Sequence, residues 1–210
     1  MDSLEALSPI DGRYRRHTKD LSNIFSEKGL MEHRLIVEGE YLIYLSDHPQ
    51  IQTRNFSSEE KKTIRNLYEL SLEDAQIVKD IETKGYKNIK KTNHDVKAIE
   101  YFMKEKLRGT SLEDSLEWIH FALTSEDTNN LAYALMLGTG LDKVIIPKLE
   151  DIYFNLSRIA IDCNSLPMLS RTHGQSASPT TFGKEFKVFS SRLERQLDQL
   201  RGYKILAKIN

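Results

Sequence analysis

Apolar residues recur along this chain at steps of three and four rather than two, a pattern that predicts helices almost throughout and no strong strand. After an irregular start around Ser8-Pro9-Ile10-Asp11-Gly12-Arg13-Tyr14, a first long helix carries Leu30, Arg34, Val37, Tyr41 and Leu45. Ser57-Ser58-Glu59-Glu60 has the serine-to-glutamate spacing of a capping box, which predicts a helix opening there and running through Ile64, Leu67, Val78 and Ile81. A loop near Gly85 ends it. Beyond Lys90-Lys91-Thr92-Asn93-His94-Asp95, a shorter helix with Val96, Ile99 and Met103 reaches Gly109.

The second half has longer stripes with heptad-like spacing. Leu112, Leu116, Ile119 and Leu123 form one, and Ile145, Leu149, Ile152, Leu156, Ile159 and Cys163 form another that Pro167 stops. Phe182, Phe186, Phe189, Leu193, Leu197 and Leu200 form a third. Helices of this kind bury a narrow seam against antiparallel neighbours, so the expected fold class is all-α, an N-terminal helical domain followed by part of a long-helix bundle. The expected boundary lies near Gly109, giving domains 1–109 and 110–210. Pro147 should sit in the first turn of its helix or kink it.

Composition narrows the function classes. Lys and Arg number 30 against 31 Asp and Glu, a net charge of -1 that provides no electrostatic footprint for nucleic acid or an anionic membrane. The single cysteine, Cys163, cannot form an intramolecular disulfide, and Met1-Asp2-Ser3-Leu4-Glu5 lacks the layout of a secretory signal. Nothing approaches a membrane-spanning run of about 18 apolar residues. The expectation from these features is a soluble cytoplasmic protein with no metal or cofactor, and the long apolar seams favour copies of itself as partners.

Four polar clusters interrupt the stripes. In Asp11-Gly12-Arg13-Tyr14, Arg13 suits a phosphate or carboxylate in fork geometry and Tyr14 suits stacking, although an ordinary exposed turn would look the same. Thr92-Asn93-His94-Asp95 stands where a helix begins. With Asp95 as its cap, the first-turn amides would face an anion held by His94 and Asn93; a plain helix cap is the alternative. Thr124-Ser125-Glu126-Asp127-Thr128-Asn129-Asn130 is too polar to be buried unpaired, and Ser125 as N-cap would set the hydroxyls of Thr124 and Ser125 beside free amides. The fourth cluster, Leu169 to Glu185, is expected as a long non-helical connection. It holds His173 beside Gly174, where an imidazole suits proton transfer near neutral pH as well as it suits a solvated loop.

Taken together and in order, Ser8-Pro9-Ile10-Asp11-Gly12-Arg13-Tyr14, Thr92-Asn93-His94-Asp95-Val96-Lys97-Ala98, Thr124-Ser125-Glu126-Asp127 and Arg171-Thr172-His173-Gly174-Gln175 resemble the motifs of adenylosuccinate lyases of bacterial type, within the fumarase and aspartase superfamily. The Thr-Ser-x-Asp and Thr-His-Gly-Gln elements are shared across that superfamily. The Arg-Tyr turn and the Asn-His-Asp run are similar to the adenylosuccinate branch.

The resemblance implies elimination of fumarate from adenylosuccinate, giving AMP, and from the succinyl-aminoimidazole carboxamide ribonucleotide of purine biosynthesis. It implies His173 as general acid, and Arg13, Tyr14, Asn93, His94, Asp95, Thr124 and Ser125 as substrate contacts in a homotetramer. Ser176 and Ser178 stand where the family often has proline and threonine. A later family loop carries the serine that acts as general base, and these 210 residues contain no such segment. The chain is therefore expected to be the N-terminal portion of a longer enzyme, inactive alone. The competing readings are another superfamily lyase, of argininosuccinate lyase or aspartase type, and a non-catalytic helical oligomerisation module.

Overall fold

The computed structural model describes residues 4–208, in two compact units. One comprises the chain up to Gly138 together with the segment from Leu206; the other is Thr139–Ile205. Gly109 falls inside the first.

The first unit contains α1 (Arg15–Phe25), α2 (Glu27–Asp47), α3 (Ser58–Arg65), α4 (Leu72–Thr83) and α5 (Asp95–Leu107), then a 3₁₀ segment (Glu113–Trp118) and α6 (Ser125–Gly140). Helix α2 is the axis. It is buried around most of its circumference, with Met31, Leu35, Leu42 and Ile43 packed against Ile64, Val78, Ile81, Ile99, Phe102 and Met103. Such enclosure explains why its apolar and polar residues do not separate into two faces as a surface helix requires. Arg34 and Glu38 are buried with the rest.

Three expectations change here. The helix predicted from Ser57 to Ile81 is two helices. The capping box is present, Ser57 Oγ accepting from the Glu60 amide while the Glu60 carboxylate accepts from the Ser57 amide, but α3 ends at Arg65 and Ser71 caps α4 anew by accepting from the Asp74 amide at 3.0 Å. The stripe from Leu112 to Leu123 is not a long helix, because His120 and Ala122 adopt positive φ (62° and 57°) and stop the helical path after the 3₁₀ segment. The cap assignments also move. His94, not Asp95, is the N-cap of α5, its side chain accepting from the Lys97 amide, and Ser125 is the first residue of α6 rather than its cap.

The second unit runs from a π-helical turn (Leu141–Ile145) into α7 (Ile146–Asp162), with Pro147 in the first turn of α7. It continues through β1 (Pro167–Thr172) and β2 (Gln175–Thr181) to α8 (Phe182–Arg201). The connection expected to be non-helical from Leu169 to Glu185 is so as far as Thr181, after which α8 takes over. The strands correct the expectation of no strong strand. They pair antiparallel, with Thr172 opposite Gln175, Arg171 opposite Ser176, and an irregularity between Leu169 and Arg171. None of their side chains is buried and most are exposed, so backbone pairing holds the ribbon and there is no apolar alternation to read. The helix predicted from Phe182 starts there, with Thr181 accepting from the Lys184 amide.

Helices α7 and α8 pack side by side. Tyr153 donates to Glu194 at 2.7 Å and Arg201 pairs with Glu150, contacts whose numbering runs in opposite directions along the two helices, as an antiparallel pair requires. The closest approach is at Gly183. Its amide donates to the Cys163 carbonyl at 2.9 Å, and a Cβ there would lie 2.3 Å from the Ala160 carbonyl oxygen.

Because the obstructing atoms belong to backbone, an added methyl cannot be accommodated by a rotamer change. We expect Gly183→Ala to destabilise the α7–α8 pair by about 1–3 kcal/mol, read as an earlier denaturant midpoint with unchanged slope. A midpoint equal to that of the parent chain would refute the close approach.

Candidate functional site

The first unit brings two of the polar clusters together. Backbone pairing fixes the approach to α5, since the amides of Thr92 and Asn93 donate to the carbonyls of Ile81 and Glu82 at the end of α4 (3.0 and 2.9 Å). Asn93 then takes a left-handed conformation, φ 49°, an uncommon state for a residue with a side chain and a recurrent mark of functional turns. That turn delivers His94 to the helix start. Its Nδ1 accepts from the Lys97 amide at 3.3 Å, and its Nε2 lies 3.2 Å from Ser125 Oγ.

This pattern assigns a tautomer. With Nδ1 accepting, the neutral ring carries its proton on Nε2 and donates to Ser125, which leaves the serine hydroxyl proton free to donate elsewhere. Asp95, beside it, accepts from Arg34 Nη2 at 2.6 Å, and this hydrogen bond and charge hold the Asp95 carboxyl below its usual value despite the opposing effect of burial, which is the largest single influence.

At α6, Thr124 and Asp127 make a reciprocal pair. Asp127 Oδ2 accepts from the Thr124 amide (2.7 Å) and hydroxyl (2.8 Å), while the Asp127 amide points back at Thr124 Oγ1 at 3.4 Å. Thr124 therefore occupies the capping position expected of Ser125. The Ser125 side chain is released from capping and meets His94 instead. Two helix starts, α5 and α6, thus share one polar junction, where aligned amides favour negative charge.

Arg13 and Tyr14 lie in the turn before α1, with the Arg13 guanidinium 4.8 Å from the Tyr14 ring centre. Both are exposed, and neither is hydrogen-bonded to the His94–Ser125 junction. In the second unit, His173 and Gly174 form the two-residue tip of the β1–β2 ribbon, both at positive φ (51° and 73°), as a type I′ turn demands. The imidazole is exposed at the tip. No described group of three or more His, Cys, Asp or Glu side chains is arranged to hold a metal ion, and no described helix is long and apolar enough to cross a membrane.

Sequence reasoning missed a buried cluster beneath the junction. Glu38 Oε1 accepts from Thr128 Oγ1 at 2.7 Å and from His120 Nδ1 at 2.6 Å, with the Glu38 side chain fully enclosed. The hydrogen bond from His120 to Glu38 raises the histidine above its ordinary value, against the effect of burial. Glu38 sits one helical turn from Arg34 on α2, and that i, i+4 pair of opposite charges flanking the apolar run Leu35-Ile36-Val37 was the available signal.

The family model described as lyase matches residues 12–209. Adenylosuccinate lyase of Haemophilus influenzae is 44% identical over all of this chain and 45% of its own length. That of Escherichia coli K12 is 43% identical with the same coverage, and that of Dictyostelium discoideum is 45% identical over 95% of this chain and 43% of its own. This chain thus spans a little under half the length of these curated relatives. Among solved structures, a fumarate lyase from Mesorhizobium sp. BNC1 superimposes with a TM-score of 0.65 at 20% identity, covering 88% of this chain and 39% of that one. A 3-carboxy-cis,cis-muconate lactonizing enzyme from Pseudomonas putida does so with 0.65 at 19%, with the same coverage. These two likenesses are of fold.

A histidine whose folded-state value is raised contributes stability that is full below about pH 6.5 and fades as pH rises through the elevated value. We expect the His120 ring to titrate above 6.5 by NMR, Glu38→Gln to bring its midpoint down, and the accompanying fall in stability with rising pH to flatten in the variant. An unchanged midpoint in Glu38→Gln would show that Glu38 does not set it.

Proposed function

The chain belongs to the lyase family, and on that premise we propose that it forms the N-terminal part of an adenylosuccinate lyase, with fumarate elimination from adenylosuccinate and from the related succinyl carboxamide ribonucleotide as the reaction of the whole protein. One observation carries this reading. In a chain 43–45% identical to adenylosuccinate lyases, the Asn-His-Asp and Thr-Ser motifs, 31 residues apart in sequence, meet through His94 Nε2 and Ser125 Oγ at 3.2 Å.

The chemistry suits these groups. Removing a proton from the carbon beside a carboxylate builds an aci-carboxylate dianion, and the second step breaks the carbon–nitrogen bond as the carbon–carbon double bond of fumarate forms. The free Ser125 hydroxyl proton and the first-turn amides of α5 and α6 not used in capping are preorganised donors for that charge, and Thr124, whose hydroxyl proton is held by Asp127, contacts the substrate beside them. Asn93, His94 and Asp95 line the same substrate site, and Arg13 with Tyr14 takes the nucleotide phosphate. His173, protonated, donates to the departing nitrogen as general acid. The base is the serine loop that the resemblance implies, supplied from outside these 210 residues, so a complete site forms only in the longer protein and in an assembly of several copies.

Self-association fits the second unit, where Ile152, Phe154, Ile161 and Phe189 stand exposed along α7 and α8. A cytoplasmic setting fits a purine-biosynthetic substrate. The division into an N-terminal domain and the opening of a central bundle near Gly109 is kept as a functional boundary within this proposal.

Fumarate release from adenylosuccinate, followed by absorbance, tests the reading. We expect the 210-residue chain to bind AMP and fumarate without turnover, and a chimera completed with the remaining length of the Escherichia coli relative to be active. In that chimera His173→Ala should lower turnover by about 100-fold or more with a smaller change in AMP affinity, and Ser125→Ala should weaken fumarate relative to AMP. Robust turnover by the 210-residue chain alone, or full activity in His173→Ala, would overturn it.

A further inference from the structure

Arg34 is the most buried cation of the first unit that touches a proposed substrate-binding residue, with its side chain 5% exposed. It reaches the two helix starts with different nitrogens. Nη2 donates to Asp95 Oδ2 at 2.6 Å, at the first residue of α5, and Nε donates to Asn129 Oδ1 at 2.9 Å, one turn into α6. Asp95 directly follows His94, and Asn129 follows Ser125 by four residues and so lies on the same face of α6 one turn further along, which places both contacts next to the His94–Ser125 pair without using either of its side chains.

The guanidinium therefore bridges the two helix starts beside the junction. We propose that Arg34 is a positioning residue, which locks the N-terminal turns of α5 and α6 together so that His94, Ser125 and their neighbouring amides present one dianion site rather than two independent helix starts. The ligand part of this inference rests on the lyase reading above.

The planar fork explains the residue type. A guanidinium offers N–H donors in fixed, divergent directions and can serve two acceptors on separate helices at once, whereas an ammonium at the end of a flexible stem holds the charge without fixing the angle between them. The burial also explains the coupling. Arg34 itself is 5% exposed and has no water to replace these acceptors. The half-exposed Asp95 and the partly buried Asn129 can turn to solvent once the guanidinium is gone, so each helix start would relax by its own route. Because the bridge starts from α2, the best-packed helix of the unit, the two turns are referred to a rigid element and not merely to each other.

The test uses the 210-residue chain, labelled for NMR, in the parent form and as Arg34→Lys and Asn129→Ala. Two readouts are taken. The first is amide hydrogen exchange without ligand at Val96 and Lys97 in α5 and at Asp127 and Thr128 in α6, compared with the core amides of Ile99 and Phe102. The second is fumarate affinity, from shifts of the His94 ring and the Ser125 amide, with AMP as the comparison ligand.

We expect Arg34→Lys to speed exchange at both helix starts by about tenfold or more, the loss of one charge-assisted hydrogen bond, while the core amides stay protected. Fumarate affinity should fall by a similar factor with AMP affinity little changed. Asn129→Ala, which cuts one arm only, should loosen α6 and leave Val96 and Lys97 as in the parent.

Unchanged exchange at either helix start in Arg34→Lys would overturn the brace, and so would fumarate binding as tight as in the parent. If the parent itself gives no fumarate-dependent shift, the lyase reading of this chain fails, and the exchange data still decide whether Arg34 couples the two turns. If Arg34→Lys does not fold, Asn129→Ala decides: loosening of both helix starts by that variant would refute two separable arms.

Discussion

A helix enclosed on most of its circumference must find internal partners for every charge it carries, and in this protein that constraint acts through Arg34 and Glu38 of α2. Each stands where solvent cannot serve it. Arg34 is held by Asp95 and Asn129, and Glu38 by His120 and Thr128, both on its Oε1, while Glu38 Oε2 is buried without a hydrogen-bond partner among the described residues. The four partners come from the start of α5, the turns before α6 and the second turn of α6 itself, so meeting the needs of α2 assembles the polar junction. The apolar core supplies the bulk of the burial, through Leu35, Leu42, Ile99, Phe102 and others, but it would be indifferent to small rotations of α5 and α6. Hydrogen bonds to buried charges are directional, and they fix those rotations.

The same logic orders the chemistry. Thr124 is occupied with Asp127 at the cap of α6, which frees the neighbouring serine for His94. His94 in turn is polarised by accepting an amide on one nitrogen, so that its other nitrogen donates. A ligand anion then meets a hydroxyl proton and helix amides whose orientations were set before it arrived, the arrangement from which electrostatic stabilisation of a developing dianion draws its strength.

Much of this was legible in the residues. The capping box at Ser57, the helix start at Thr92-Asn93-His94 and the break at Thr124 follow from side chains that compete with backbone hydrogen bonds, and such local chemistry is read one residue at a time. The contact between His94 and Ser125 was not legible, because motif order says nothing about which helix starts meet. Likewise Glu38 and His120 are 82 residues apart and joined only by tertiary packing. The β1–β2 ribbon escaped because strands exposed on both faces, Pro167-Met168-Leu169-Ser170-Arg171-Thr172 and its partner, carry no alternation. A glycine in second place in the two-residue tip, His173-Gly174, was the remaining clue. The single helix expected through Ile81 split because Ser71-Leu72-Glu73-Asp74 repeats the signal that opened α3, and a second start implies a stop before it.

Five non-glycine residues among those described hold left-handed backbone, and three of them are Asn93, His120 and His173. Glycine would relieve the steric cost at each. At His120 the gain would be lost in unpairing the buried Glu38. At Asn93 and His173, selection for thermal endurance alone would push toward glycine, removing an amide and an imidazole proposed to meet the substrate. Hardiness and reactivity are opposed there, at single residues, and a lineage that adapts this protein to heat would have to gain its stability elsewhere.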